Sequence, residues 1–158
     1  MKKLIVSILI CLSFLELNAQ FTNVNWTFGD SCGIKFNATG IDSIYRTSVN
    51  ARVSCAAISH SSGNLLFYVA SPDLELYQMP TMINRGRVYN KQHAKMENGD
   101  SLFCSNWYKE LLILPWPDSV DKFMVISSMA TSERKYHILK LIFPIITGWE
   151  KCLIKIQL

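Results

Sequence analysis

The sequence predicts an all-β domain built from antiparallel hairpins that repeat along the chain. Short apolar runs rich in β-branched and aromatic residues alternate with clusters of turn residues, as is typical of strands and tight turns. Beyond the first 20 residues, no apolar run has a clear helical period. Apolar residues make up 49% of the 158 residues and charged residues 18%, which excludes disordered and collagen-like chains.

The first element is a targeting segment. Two lysines precede an apolar run over residues 4–15, which ends at Glu16. A positively charged start, a short apolar run and a small residue at the cut are typical of a secretory signal, whereas a membrane-spanning helix needs about 20 apolar residues. We predict cleavage between Ala19 and Gln20. Residues 1–19 are then a signal peptide, and no transmembrane segment remains after its removal.

Export permits disulfides, so the cysteines beyond the cleavage site are candidates for cross-links. Four remain, and four allow three pairings: Cys32, Cys55, Cys104 and Cys152. No two of them have the spacing of zinc ligands. Two alternatives stay open, namely one disulfide or buried thiols that pack as small apolar side chains.

Two hairpins are predicted in the body of the chain. The first joins strands over 51–59 and 65–69 through the turn residues Ser61-Ser62-Gly63-Asn64. The second joins strands over 110–114 and 122–127 through the breaker Pro115-Trp116-Pro117. A further strand follows over 135–141. Residues 71–87 contain two prolines and a glycine and no clean period, which indicates a loop insertion.

The two hairpins match each other at a nearly constant offset, which suggests a repeated β unit as in propeller blades. Ile58 and Ile113 are 55 positions apart, and Phe67 and Phe123 are 56 apart. A blade takes about 40–50 residues, and a closed propeller needs at least about four blades. We therefore predict a β-repeat region over residues 20–138 that resembles an incomplete β-propeller of about three blades.

The sequence offers little catalytic chemistry. His60, His93 and His137 lack zinc-ligand spacing and are predicted to be surface or packing residues. There is no nucleophile elbow and no phosphate-binding glycine loop, and a net charge of +4 lacks the footprint of a nucleic-acid binder. We predict no enzymatic activity, no catalytic residue, no metal, no cofactor and no nucleic-acid partner.

Two sets of residues have alternative interpretations. Asp118 and Asp121 are close in sequence, but solvated turn residues are the favoured interpretation of such a pair. Four aromatic residues form either a sugar-stacking surface or part of the β core: Trp26, Tyr89, Trp107 and Trp116.

Four pairs of short motifs occur in order along the chain. They are 25–29 (NWTFG) with 32–36 (CGIKF), 55–59 (CAAIS) with 63–68 (GNLLFY), 88–93 (VYNKQH) with 96–99 (MENG), and 111–115 (LLILP) with 122–126 (KFMVI). In this order they resemble the N-terminal region of a family of large exported Bacteroidetes proteins. The resemblance covers nearly the whole chain between the signal and Ile138. His60 stands where the family usually has Asp, residues 71–87 look inserted, and no sorting domain follows.

The resemblance implies a β-propeller-like region of a secreted or cell-surface protein. Members of this family often end in a sorting domain read by the type IX secretion system, and many are linked to gliding or adhesion. It implies an unidentified surface protein or glycan as partner, and a periplasmic location if the sorting domain is truly absent. Three triplets also resemble Bacteroidetes O-glycosylation sites, with Ser43, Ser101 and Ser119 as the modified residues.

The resemblance stops after His137. Read one base out of frame, the codons of residues 141–155 are able to spell the Asp-Leu-Ser and Gly-Leu-Gly continuation of similar proteins. We predict that residues 139–158 are a tail in a shifted frame, which sequencing of the DNA decides.

Together these observations predict a non-enzymatic exported module, a truncated fragment of a larger adhesion- or gliding-associated protein. Two alternatives remain, a secreted glycan-binding or carbohydrate-active propeller protein and a small disulfide-linked secreted domain.

Overall fold

The computed structural model confirms an all-β architecture of antiparallel sheets. It describes residues 21–50, 54–71, 85–100, 102–104, 111–117, 119, 122–129, 135–142 and 151–157. Within these ranges the regular structure is eleven β-strands and one 3₁₀ turn, Phe21–Asn23. The strands form three sheets, numbered here in chain order. The predicted signal peptide and its cleavage site at Ala19 and Gln20 lie outside the described residues.

Sheet 1 has three strands and was not predicted from the sequence. It contains β1 (Asn25–Phe28), β2 (Cys32–Asn37) and β3 (Gly40–Arg46), in that order. Asp30 and Ser31 adopt φ values of 60° and 64° in the β1–β2 turn. Short polar side chains tolerate this left-handed region, so two such residues in succession give a tight connection.

Sheet 2 contains the first predicted hairpin, which is confirmed. Its strands lie in the order β4 (Cys55–Ser59), β5 (Leu65–Ala70), β6 (Arg85–Asn90) and β7 (Leu102–Phe103). The predicted loop insertion over 71–87 is wrong at its end, where β6 begins and pairs with β5. Residues 72–84 of the insertion lie outside the described part of the chain.

Sheet 3 contains the second predicted hairpin, which is also confirmed. Its strands are β8 (Leu111–Pro115), β9 (Lys122–Met129), β10 (Lys135–Ile142) and β11 (Lys151–Gln157), and β10 lies between β9 and β11. The predicted boundary between residues 138 and 139 falls inside β10, which pairs with β9 on both sides of that boundary. The reading-frame prediction for 139–158 remains a prediction.

The three sheets stack in chain order. β1 contacts β4, and β4 contacts β8, so the first strand of each sheet lies beside the first strand of the next. Two apolar clusters fill the spaces. One includes Val49, Tyr68 and Tyr89 on the side of sheet 2 that faces sheet 1. The other joins sheet 2 to sheet 3 and includes Phe67 and Phe123.

The match of Phe67 with Phe123 as repeat equivalents is wrong. Their rings pack against each other in an edge-to-face arrangement, with centroids 5.3 Å apart. Ile58 and Ile113, the other matched pair, also lie in this core. Neighbouring residues of a strand point to opposite faces of the sheet. If the two hairpins are aligned one residue out of register, residues that contact each other across the two sheets are therefore mistaken for equivalent residues.

Pairs that face the same way in sheets 2 and 3 give a different match between the two hairpins. Ala57 pairs with Tyr68 in sheet 2, and Ile113 pairs with Val125 in sheet 3. Each pair lies on the side that faces the preceding sheet. Ala57 and Ile113 are 56 positions apart, and Tyr68 and Val125 are 57 apart. Matched in this way, the two hairpins have an offset one residue longer than the sequence match suggested.

Two turns of sheet 2 are also alike. In the first, His60 N donates to Asn64 O at 2.8 Å and Gly63 N donates to His60 O at 2.8 Å. In the second, Asn90 N donates to Ala94 O and His93 N donates to Asn90 O. The fourth residue of each turn has positive φ, 81° at Gly63 and 65° at His93. This is the left-handed position of a three-residue hairpin loop, where glycine is favoured.

Candidate functional site

The first strands of the three sheets line an open groove of about 460 Å³. β1 contributes Trp26 and Phe28, β4 contributes Cys55, and β8 contributes Leu112. Trp26, Phe28 and Leu112 are the exposed apolar side chains of this groove. Concave surfaces lined by apolar and aromatic side chains are the usual place for ligands, so the groove is the candidate functional site.

Trp26 is the most exposed large side chain in the groove. It is 57% exposed, yet its position is fixed by neighbouring groups. Its indole Nε1 donates a hydrogen bond to Asn23 O at 3.0 Å. Its ring packs on Phe36 with centroids 5.1 Å apart and an interplanar angle of 60°. A ring that is both held and exposed loses little conformational entropy when it contacts a ligand.

Asn25 forms the buried polar part of the groove. Its Nδ2 donates to Ser59 Oγ at 2.8 Å and to Gly63 O at 3.0 Å. Its Oδ1 accepts a hydrogen bond from Tyr45 Oη at 3.3 Å. These contacts join sheet 1 to the β4–β5 hairpin, so Asn25 fixes the wall of the groove.

Thr27 Oγ1 and the Cys55 thiol are the other polar groups of interest in the groove. Thr27 Oγ1 is buried and has no hydrogen-bond partner in the described part of the chain. Such an unsatisfied hydroxyl costs about 1–3 kcal/mol. Burial raises the pKa of the Cys55 thiol to about 12. Cys55 therefore stays protonated at neutral pH, and a protonated thiol is a poor nucleophile.

An aromatic cluster holds the other side of the joint between sheets 1 and 2. Tyr68 Oη accepts a hydrogen bond from Ser48 N at 3.0 Å and lies 3.2 Å from His93 Nδ1. The His93 ring stacks on Tyr45, with centroids 5.7 Å apart. Ser48 Oγ donates to His93 O at 2.7 Å. His93 therefore packs in the joint, one of the two roles predicted for it.

Burial shifts the pKa values of this cluster. It raises the pKa of Tyr45 to about 12, with smaller contributions from Tyr68 and Cys32. It also raises the pKa of Tyr68, partly offset by its hydrogen bonds to Ser48. The pKa of His93 is lowered because burial disfavours the imidazolium. All three rings are therefore neutral near pH 7.

Of the other two histidines, His60 does not line the groove. His60 lies in the β4–β5 turn, where its Nδ1 accepts a hydrogen bond from Ser62 N at 3.2 Å. The side chain of His137 lies outside the described part. Among the described residues, no group of three or more His, Cys, Asp and Glu is placed to hold a metal ion.

The three described cysteines are thiols, and no disulfide joins any two of them. Cys104 is fully buried in the core between sheets 2 and 3, where it packs as a small apolar residue. Cys32 and Cys55 are half-buried. For these three the structure agrees with the alternative of packed thiols. The side chain of Cys152 lies outside the description.

The four aromatic residues considered for sugar stacking do not form one surface. Trp26 lies in the groove, whereas Tyr89 is buried and stacks on Tyr68 with centroids 5.1 Å apart. Trp116 is half-buried in the β8–β9 turn. Trp107, Asp118 and Asp121 lie outside the described ranges. The core alternative holds for Tyr89, and the stacking alternative stays open for Trp26.

The three candidate O-glycosylation residues have different surroundings. Ser43 is exposed in β3, at the edge of sheet 1. Ser119 is half-buried in the β8–β9 turn, where its N–H donates to Trp116 O. Ser101 lies outside the described residues. Exposure therefore favours Ser43 over Ser119 as an acceptor of a bulky group.

Comparison with known proteins adds no relative to these observations. No family model matches the chain, and no curated protein or solved structure is significantly similar to it. Within the described residues, no helix has the length and apolar character needed to cross a membrane.

Sequence reasoning missed the groove as a unit but had access to part of it. The residues of β1 alternate between buried and exposed, so Asn25 and Thr27 lie on one face and Trp26 and Phe28 on the other. This alternation is present in the sequence Asn-Trp-Thr-Phe. Leu112 could not have been assigned to the same groove, because its approach to β1 depends on how the sheets stack.

Proposed function

We propose that this chain is an exported, non-enzymatic β-repeat module that acts as a binding surface. It is secreted or displayed at the cell surface, and it acts in adhesion or gliding. Its three sheets are successive blades of a β-propeller. The proposal joins the targeting segment and family resemblance of the sequence to the open groove of the structure.

The stacking of the sheets supports the propeller part of the proposal. In a propeller, each blade is an antiparallel sheet and the blades are arranged around a central channel. Here the first strands of successive sheets are neighbours and together line the groove. The offsets of 56 and 57 residues between sheets 2 and 3 leave room for one blade of about 40–50 residues and a connecting segment in each repeat.

The exposed ring of Trp26 is the observation that carries the binding function. Large apolar side chains in a concave exposed surface commonly mark an interaction site. The ring is held by Asn23 and Phe36 and remains 57% exposed. Phe28 and Leu112 extend the apolar surface on either side of it. A held aromatic plane of this kind suits the apolar face of a sugar ring, so a glycan is the favoured ligand.

The glycan proposal is tested with the mature chain, residues 20–158. It is screened on an array of bacterial and host glycans, and any positive glycan is then titrated by calorimetry. Trp26→Ala is expected to weaken binding by at least about tenfold, equivalent to about 1.4 kcal/mol. Trp116→Ala is the matched control, because it removes a tryptophan outside the groove and is expected to leave the affinity unchanged.

Two results would contradict this assignment. One is binding that Trp26→Ala leaves intact while the circular dichroism spectra of both variants match that of the parent. The other is a complete lack of binding across the array by a protein that unfolds cooperatively. A carbohydrate-active enzyme, the second candidate, requires that the mature chain release reducing sugar from a polysaccharide and that an Asp118→Asn or Asp121→Asn variant abolish that release.

A further inference from the structure

The two outer faces of the three-sheet stack each carry a row of apolar side chains, with Arg46 on the face of sheet 1 and Lys122 on the face of sheet 3. On sheet 1, the face turned away from sheet 2 carries Trp26, Ile34 and Ile44, which pair across the three strands. Phe28 and Phe36 lie on the same face. Trp26 is 57% exposed and Ile44 is 68% exposed. Sheet 1 therefore presents an open apolar surface, called here the leading face.

Sheet 3 presents a second such surface on the opposite side of the stack. Leu112 pairs with Ile126 and Leu114 pairs with Met124, and all four residues point away from the core shared with sheet 2. Leu112 is 51% exposed, and the other three are half-buried. We call this surface the trailing face. Exposed apolar faces of this kind are expected to be covered by a partner.

The leading and trailing faces correspond to faces that already contact each other inside the chain. The leading face occupies the position that Ala57 and Tyr68 hold on sheet 2, on the side that packs on sheet 1. The trailing face occupies the position of Ile58 and Phe67, on the side of sheet 2 that packs on sheet 3. A trailing face placed on a leading face therefore reproduces the sheet-to-sheet contact that occurs twice within the chain.

We propose that two copies of this chain associate head to tail, with the trailing face of each packed on the leading face of the other. Two copies supply six sheets, which falls within the range of about four to eight blades that close a propeller. A head-to-tail contact closes into a ring when the rotation between copies allows it. The occupant of both faces is thus a second copy of this chain. This inference rests on the propeller-like arrangement proposed above and not on the glycan.

The ring also completes the groove. In each copy the groove is bounded by first strands on one side and is open on the other. Closure places the first strands of all six sheets around a common centre. Trp26 lies on the leading face as well as in the groove, so a second copy narrows the space that a ligand reaches.

The association is tested with the mature chain by light scattering after gel filtration and by sedimentation velocity. The parent is expected to have twice the mass of one chain. Ile44→Lys changes the leading face and Met124→Lys changes the trailing face, and neither residue lines the groove. Because a lysine in an apolar contact loses hydration, each variant is expected to weaken the dimer by more than about 100-fold. Gln92→Lys adds the same charge at an exposed turn and is expected to remain dimeric.

Mixing the two variants identifies which faces meet. In the mixture, the trailing face of Ile44→Lys and the leading face of Met124→Lys are both intact. A head-to-tail contact therefore predicts partial recovery of a heterodimer, detectable by mass when one variant carries a tag. Pairing of two leading faces predicts instead that Met124→Lys alone forms a normal dimer, and this result would overturn the proposal.

Other outcomes would overturn it as well. A parent that stays monomeric at high micromolar concentration has no such contact, and a mass that rises steadily with concentration indicates an open filament instead of a closed ring. Circular dichroism and thermal unfolding of each variant ensure that loss of the dimer is not loss of the fold. Glycan titration of the Gln92→Lys and Ile44→Lys proteins tests the binding function separately. A monomeric parent whose variants bind glycan contradicts only the association, whereas a dimeric parent that binds no glycan contradicts only the binding function.

Discussion

Phe67 and Phe123 give the sharpest test of how sheets 2 and 3 meet. Phe67 is fully buried and Phe123 is 6% exposed, and their rings pack edge to face with centroids 5.3 Å apart. An aromatic pair in this geometry contributes about 0.5–1.5 kcal/mol beyond its buried area. If the two residues were repeat equivalents, as the sequence match suggested, they would lie in separate inter-sheet spaces and would not be coupled.

The perturbation is Phe67→Leu, Phe123→Leu and the double variant. Leucine is apolar but smaller, so each single change removes buried atoms and is expected to cost about 1–2 kcal/mol. The free energy of unfolding of a domain is about 5–15 kcal/mol, so all three proteins are expected to fold. The double variant should lose less stability than the sum of the single variants, by about 0.5–1.5 kcal/mol.

The assay is equilibrium unfolding in urea, followed by circular dichroism at one protein concentration with a reductant present. The control cycle combines Phe67→Leu with Val49→Ala, because Val49 belongs to the other apolar cluster. That pair is expected to be additive within about 0.3–0.5 kcal/mol. A coupling between Phe67 and Phe123 no larger than that of the control would refute the contact and the sheet order built on it.

Three further predictions concern other parts of the fold. Gly86→Ala should destabilise the protein by about 1–3 kcal/mol in the same assay, because its new Cβ would lie 2.7 Å from Ala70 O; an unchanged unfolding midpoint would contradict this close approach. Tyr68→Phe should cost about 1–3 kcal/mol by removing the acceptor of Ser48 N, and faster amide exchange at Ser48 would locate the loss. Burial lowers the pKa of His93, so the unfolded state binds the proton more readily. Stability should therefore be highest above the ordinary pKa of about 6.5 and decline as pH falls from there toward the lowered folded-state pKa. Asparagine tolerates positive φ, so His93→Asn should fold and should reduce the change of stability with pH, measured by unfolding experiments across this pH range. If stability changes with pH as steeply in the variant as in the parent, a group other than His93 is responsible.

Many of the strands were predictable because they depend on residues that are close together in the sequence. The hairpins around Gly63 and Pro117 follow from apolar runs bounded by residues that favour turns. Sheet 1 was missed because β1 has only four residues and β3 is exposed along most of its length. An exposed edge strand such as β3 lacks the alternation of apolar and polar residues on which strand prediction depends.

The candidate site was predictable only in part. Trp26 was recognised as a possible stacking residue, but Tyr89 was grouped with it although Tyr89 is buried against Tyr68. Trp26 lies on a sheet face that is exposed, whereas Tyr89 lies on a face that an apolar cluster covers. Likewise, sequence spacing left the state of Cys32, Cys55 and Cys104 open, and their positions in three dimensions resolved it as thiols.

The sequence by itself predicted that this chain is all-β, where the β4–β5 and β8–β9 turns fall, and which residues are apolar enough to be buried. These properties depend on neighbours along the chain. Only the tertiary structure decided that Phe67 meets Phe123 and that Trp26 and Leu112 line one groove. The physical reason is the two-residue period of a strand, in which a shift of one position exchanges one face for the other. Which face meets which sheet is set by the stacking of strands far apart in the chain.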